Sequence, residues 1–165
     1  MKKEIKLIID GEPMGKQRPK FTSAGKFVRT YTPKETVNYE SKVVYEYKKF
    51  LEQQELPKET VFFGRGDEIW ATIIAYYPIT KDHYRYHKKT GTTDLNKEGQ
   101  EMLNGIINPT KKPDCDNIAK VVLDALNGIA FPDDSQITCL LVVKRYAEKP
   151  RVELSLERGN CDGIE

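Results

Sequence analysis

The stretch Lys111–Ile137, KKPDCDNIAKVVLDALNGIAFPDDSQI, decides how the rest of the chain is read. It gathers Asp114, Asp116, Asp124, Asp133 and Asp134, with Lys120, into one strand–helix–turn unit. Asp116 follows an extended Pro-containing segment and stands where a helical pattern opens, so the spacing predicts it as the N-cap. Ile118, Val121, Val122 and Ala125 recur at i, i+3, i+4 and i+7, the stripe of a helix packed on a core. On the opposite side Asp116, Lys120 and Asp124 recur every four residues and form one polar stripe. Asn127-Gly128 is a helix stop, because glycine takes the left-handed conformation freely. Pro132-Asp133-Asp134-Ser135 reads as a turn, and a strand-like run begins at Ile137.

The chemistry follows from the acids. Two apart in extended backbone, Asp114 and Asp116 point to the same side. A turn folding back after the helix would bring Asp133 or Asp134 to them. Carboxylates sharing one pocket repel, and some must protonate unless a cation neutralises them. Oxygen ligands without Cys or His favour Mg²⁺ or Mn²⁺ over zinc. Such a centre lines up water and a phosphodiester for hydrolysis. Lys120, one turn inside the helix, is placed to hold a phosphate oxygen or stabilise developing negative charge. The competing reading is an exposed i,i+4 ladder followed by ordinary Asp-Asp-Ser turn chemistry.

The runs KPDCDNIAK, LDALNG and FPDDSQI resemble the signature of the RusA family of Holliday-junction resolvases. That signature is Asp-x-Asp-Asn followed by Lys, an Asp-Ala-Leu helix end, then Asp-Asp-x-Gln. The earlier segment Gly15-Lys16-Gln17-Arg18-Pro19-Lys20 is similar to the opening of many phage and prophage members. The resemblance implies a Mg²⁺-dependent endodeoxyribonuclease that cuts four-way junctions by paired, symmetric hydrolysis. It implies Asp114, Asp116 and Asp134 as metal-binding catalytic acids and Lys120 as the catalytic lysine. Asp133 is expected to assist, Asp124 to orient the lysine, and Asn117 and Gln136 of the same motif to support the site. The middle of this chain is longer than in the compact members. The rivals are a metal-dependent nuclease without junction preference and a non-catalytic branched-DNA-binding protein.

At 165 residues the chain fits one domain with a single core. A hydrophobic fraction of 38% beside 32% charged residues describes a folded protein and excludes a disordered one. The net charge of +2 is too small to argue for nucleic acid, but its distribution is informative. Lys16, Arg18, Lys20, Lys26, Arg29 and Lys34 fall in one run that contains no acid, while acids gather in the central motif. A basic surface around an acidic pocket suits a nuclease that grips the DNA backbone. Cys115, Cys139 and Cys161 form no CxxC or zinc pattern, which suits free thiols in a reducing cytoplasm. Cys115, between two proposed ligands, is expected to face the core. The opening MKKEIKLIIDGEP lacks the apolar region of a signal peptide, and no run approaches a membrane span, so a cytoplasmic protein is expected.

Outward from the motif, Ile5, Leu7 and Ile9 alternate with polar residues in a first strand ending at Gly11. Residues 15–31 read as a loop or irregular hairpin whose cations interleave with Phe21, Phe27 and Tyr31, a phosphate-contacting arm with rings to stack on unpaired bases. Thr32-Pro33-Lys34-Glu35 starts a helix with Thr as cap, running to about Gln54. Val43, Val44, Tyr47, Phe50 and Leu51 form its inner stripe, with Tyr39 and Tyr45 near the edges. Glu68–Tyr77 is almost continuously apolar and predicts a central strand. Lys81–Lys89 reads as a mobile basic–aromatic loop beside the substrate; its two histidines lack a third zinc ligand. Arg85, Lys88, Lys89 and Lys112 thus join Lys16, Arg18, Lys20, Lys26 and Arg29 as expected DNA contacts. A short helix lies within Thr93–Ile106, with Leu95, Met102 and Leu103 on one side. Ile137–Tyr146 and Val152–Leu156 are two strands, and 159–165 is a tail.

The expected fold is α/β (α+β): a mixed sheet of about four strands, two main helices and one shorter helix. A four-way junction is cut in two opposed strands, and one chain carries one candidate site, so a C2 homodimer is expected.

Overall fold

The computed structural model describes residues 3–18, 20–24 and 27–159, with side chains outside 19–30. Lys26, Cys161 and the tail beyond Gly159 lie outside the described residues, as do the side chains of Lys20 and Arg29. The elements in order are β1 (Glu4–Asp10), β2 (Lys20–Ala24), β3 (Phe27–Tyr31), α1 (Lys34–Gln53) and β4 (Ile69–Pro78). There follow β5 (Tyr84–His87), β6 (Thr92–Leu95), α2 (Lys97–Leu103), α3 (Cys115–Leu126), β7 (Ile137–Ala147) and β8 (Arg151–Arg158).

The main sheet is mixed and four-stranded, in the order β1-β8-β4-β7, with β8 antiparallel to both neighbours and β7 parallel to β4. A parallel partner demands a crossover, and here the crossover carries β5, β6, α2 and α3. β4 was expected as a near-continuous apolar strand, and it is interior, but only one of its faces is covered. Ile69, Ala71, Ile73, Ala75 and Tyr77 are buried in the core with residues of α1 and α3. Trp70, Thr72, Ile74 and Tyr76 are half-buried on the other face.

In α1 the inner stripe is Thr36, Tyr39, Val43, Tyr47 and Leu51, every third or fourth residue. Tyr39 is therefore inside and not at an edge, while Val44 and Phe50 pack from the margin. The cap position is Pro33 and not Thr32; its carbonyl accepts from the Val37 N–H at 3.2 Å. Burial pushes the Tyr47 phenol up to about 12, and its hydroxyl donates to the Thr60 carbonyl at 2.6 Å.

Two expectations are corrected between β4 and α3. Lys81–Lys89 is not an irregular loop: a short 3-10 turn at Lys81–His83 leads into the β5–β6 hairpin. His87 Nε2 lies 2.6 Å from Asp94 Oδ1 across that hairpin. Both faces of so small a ribbon are wet, so no apolar alternation marks it. Thr93–Leu95 is accordingly strand, and the helix starts only at Lys97, capped by Asn96 Oδ1 accepting from the Gly99 N–H at 2.8 Å. Met102 is its buried apolar residue, and Leu103 faces out.

Candidate functional site

The helix α3 carries the central motif with its stripe as read: Ile118, Val121, Val122 and Ala125 are buried. Its cap, however, is Asp114 and not Asp116, with the Ile118 N–H donating to the Asp114 carbonyl at 3.1 Å. In Asp-x-Asp either acid can cap, and the core contacts set the phase. Asp116 is thus in the first helical turn and does not share an extended segment with Asp114. Cys115 is exposed and not core-facing, because burial on α3 begins only at Ile118.

Residues 13–18 lie across this helix start. The Lys16 N–H donates to the Asn117 carbonyl at 2.9 Å. Gly15 permits the approach: a Cβ there would lie 2.6 Å from Pro113 Cβ and 3.2 Å from Asn117 Cβ. Between the two segments is a cleft of about 690 Å³ lined by Gly15, Lys16, Arg18, Lys112, Asp114 and Asn117, among others. Overpacking of this kind costs roughly 1–3 kcal/mol. Gly15→Ala should therefore push residues 13–18, the strap, off the helix start and destabilise the chain by that amount. Denaturant unfolding checks this; unchanged stability would show that the strap does not lie this close to the helix start.

Lys16 reaches past the cleft to an ion pair with Asp124 at 3.0 Å and another with Glu40. Desolvation pulls its pKa down, but hydrogen bonds and attraction from the two carboxylates outweigh it, and the net shift is upward. Two sequence expectations change here. Asp124 holds Lys16 and not Lys120, and Lys16 is an internal strut joining the strap to α1 and α3. Lys120 is exposed and makes no ion pair with any described residue.

Beneath the helix start Lys144 of β7 donates to the Lys111 carbonyl and to that of Pro113 at 3.2 Å. Lys111 and Lys144 both lie over the Tyr77 ring, 5.4 and 5.5 Å from its centre. In the sequence Lys144 reads only as a strand residue. Its signal was an inward-pointing cation in the alternation Leu140, Val142, Lys144, Tyr146.

The other acids are elsewhere. Asp133 caps a 3-10 turn at Asp134–Gln136, accepting from the Ser135 N–H at 2.9 Å, and bonding from Ser135 holds its carboxyl below the usual range. Gln136 donates to the carbonyls of Gly64 and Asp67, at 2.8 and 2.9 Å, and so staples this turn to the loop before β4. Ile137 pairs with Ile69, whereas Lys144 pairs with Ala75. The two acidic pairs therefore sit towards opposite ends of β7, whose rise from Ile137 to Lys144 is about 23 Å at ~3.3 Å per residue. α3 spans about 18 Å of this separation, and the residues after it lead on into β7 and do not fold back over the helix. Among the described residues no three His, Cys, Asp or Glu side chains lie close enough to hold a metal ion. Within one chain, then, Asp133 and Asp134 do not join Asp114 and Asp116, and the expected carboxylate pocket is not formed.

The basic hairpin is at the Asp114 end. It follows β4 where the Ile79 N–H donates to the Ala147 carbonyl at 3.3 Å, and it exposes Arg85, Lys88 and Lys89. With Arg18 and Lys112 it gives this end of the molecule its exposed cations.

Exposed cations beside an acidic helix start are compatible with contact to a phosphodiester backbone. The chain belongs to the RusA family: the family model described as Endodeoxyribonuclease RusA matches residues 10–157, which makes DNA endonuclease its class. It is also similar to the uncharacterized protein YqaN of Bacillus subtilis (strain 168), 34% identical over 152 residues, spanning 92% of this chain and 94% of that protein. Among the described residues no helix is long and apolar enough to cross a membrane.

Proposed function

We propose that this protein is a Mg²⁺-dependent endonuclease of four-way DNA junctions whose cutting site is completed by a second copy of the chain. The observation that carries the reading is the division of the motif's acids between the two ends of β7. A two-fold pair of chains sets the Asp114 end of each against the Asp134 end of the other. Each of its two equal sites then holds Asp114, Asp116 and Lys120 from one chain and Asp133 and Asp134 from the other. Four carboxylate groups with no Cys or His favour Mg²⁺, with Mn²⁺ as substitute. Their mutual repulsion makes the assembled site depend on a cation.

The chain's own residues bind and orient. Exposed Lys120 contacts the phosphate to be cut, and Arg18, Lys112 and the β5–β6 cations hold the flanking backbone. Two sites related by a two-fold axis suit a substrate that must be opened in two opposed strands.

Cleavage of a labelled synthetic four-way junction and a matched linear duplex, with Mg²⁺ or EDTA, tests this. Paired nicks in the junction alone, lost with chelator or with Asp116→Asn, are expected. Asn caps a helix about as well as Asp, so folding should be unaffected. Equal cutting of both substrates would make the protein a general nuclease. Tight junction binding without cutting would make the acids structural.

A further inference from the structure

We propose that the β5–β6 hairpin is a fixed pin that stacks Tyr86 on an unpaired base where a DNA duplex branches or opens. The pin rests on the nuclease reading above for its class of partner, and adds to it a contact with bases. It stands at the Asp114 end of β7, where the Ile79 N–H meets the Ala147 carbonyl. In residues 84–95 the cations Arg85, Lys88 and Lys89 are exposed, and Asp94 is the one acid. That acid is occupied, since His87 Nε2 lies 2.6 Å from Asp94 Oδ1. The outer half of the ribbon is therefore a cationic surface.

Strand pairing sorts the side chains. Arg85 opposes Asp94 and His87 opposes Thr92, which puts those four on one face. Tyr84 with Leu95, and Tyr86 with Thr93, take the other. On that face the inner pair is half-buried, whereas Tyr86 is 65% exposed with a threonine opposite it. No apolar residue lies further out, because the tip reads HKKTGT from His87 to Thr92. A lone ring flanked by lysines suits a base and its phosphates better than a hydrophobic protein surface. Aromatic stacking accepts every base, but only one with an open face. Paired bases inside a linear duplex offer none.

The hairpin is held at both ends. At its root the Asn96 N–H donates to the His83 carbonyl at 2.8 Å. Gly99 lets that root sit directly on α2: a Cβ there would lie 3.0 Å from Leu95 Cδ2 and 3.1 Å from His83 Cβ. In turn α2 packs on β7. At the tip the Gly91 N–H donates to the His87 carbonyl at 2.8 Å, and Gly91 closes the turn at φ 69°. From Tyr84 to His87 the ribbon extends about 10 Å at ~3.3 Å per residue. A ring fixed in advance on such a support loses little freedom when it stacks.

Binding without cutting tests the pin. In EDTA, fluorescence anisotropy compares a four-way junction with a linear duplex of the same length. The proteins are the native chain, Tyr86→Ala, Tyr86→Phe and a Lys88→Ala, Lys89→Ala double variant. All should fold normally by circular dichroism, since these positions are exposed. Tyr86→Ala should weaken junction binding by about 5- to 100-fold, the scale of one lost base stack, and leave duplex binding within about twofold. Tyr86→Phe should keep the native affinity, because stacking needs the ring and not the hydroxyl. The double lysine variant should weaken both substrates alike and reduce the salt slope by roughly 2. Native junction affinity in Tyr86→Ala, equal loss on both substrates, or weak binding by Tyr86→Phe would overturn the proposal. So would tighter binding of a poly-glutamate peptide than of the junction, which would assign the cations to an acidic protein. A chain that selects the junction through Tyr86 but cuts no DNA with Mg²⁺ would uphold the pin and remove the nuclease reading instead.

Discussion

Mixing the Asp116→Asn chain with the Asp134→Asn chain should restore DNA nicking that neither possesses alone if, as proposed, each site draws its acids from two chains. Each substitution removes a charged oxygen from a site meant to stabilise charge, so each homodimer should lose activity by about 10²–10³-fold or more. In a mixed dimer one site contains both substitutions and the other contains neither. Random exchange puts roughly half the molecules in that form, each with a single intact site. Recovered activity should therefore appear as single nicks, with paired cuts still absent. The result depends on where the acids sit. A site built within one chain would be broken in both members of the mixed dimer, and the mixture would stay inactive. Co-expression with two tags, purification of the doubly tagged dimer and a junction-nicking assay decide between the two. Both residues are exposed, so neither change should unfold the chain.

The largest effect on stability is expected at Phe131. Its side chain is fully buried, and its carbonyl accepts from the Gly128 N–H at 2.8 Å. Gly128, at φ 73°, turns the chain out of α3 there. The ring anchors the segment that leads from α3 into the Asp133–Asp134 turn. Phe131→Ala should cost about 3–5 kcal/mol, the transfer term plus the cavity left behind. At roughly 2–4 °C per kcal/mol for a chain of this size, the melting temperature should fall by about 6–20 °C. Denaturant unfolding measures it; a loss below about 1 kcal/mol would mean that the turn is not docked through this ring. Leu140→Ala, at a half-exposed edge position, is the comparison and should change the stability of the isolated chain little.

Periodicity made the scaffold readable. The stripe of α3 and most of that of α1 recur at helical spacing because one side of each helix must face the core. The strands β1, β4, β7 and β8 announced themselves by apolar runs or alternation. The β5–β6 hairpin did not, since neither face is buried, and a short polar ribbon has the composition of a loop. Tyr39 could not be placed inside α1 by phase alone; the strap and Tyr77 lie against it, and they come from distant parts of the chain.

What the sequence by itself determined is the set of chemical groups: the Asp-x-Asp helix start, Lys120, the Asp-Asp turn, the basic strap and the family to which they belong. These are local, and local spacing is enough to recognise them. Tertiary structure alone decided how they are shared out. Lys16 is committed to Glu40 and Asp124 because the strap crosses both helices, a contact between residues far apart in the chain. The two acidic pairs are held apart because α3 is a rigid rod about 18 Å long that runs the chain back along β7. The chain after α3 was long enough to fold back over the helix, but the tight loop from Asn127 to Phe131 leads on into β7 instead.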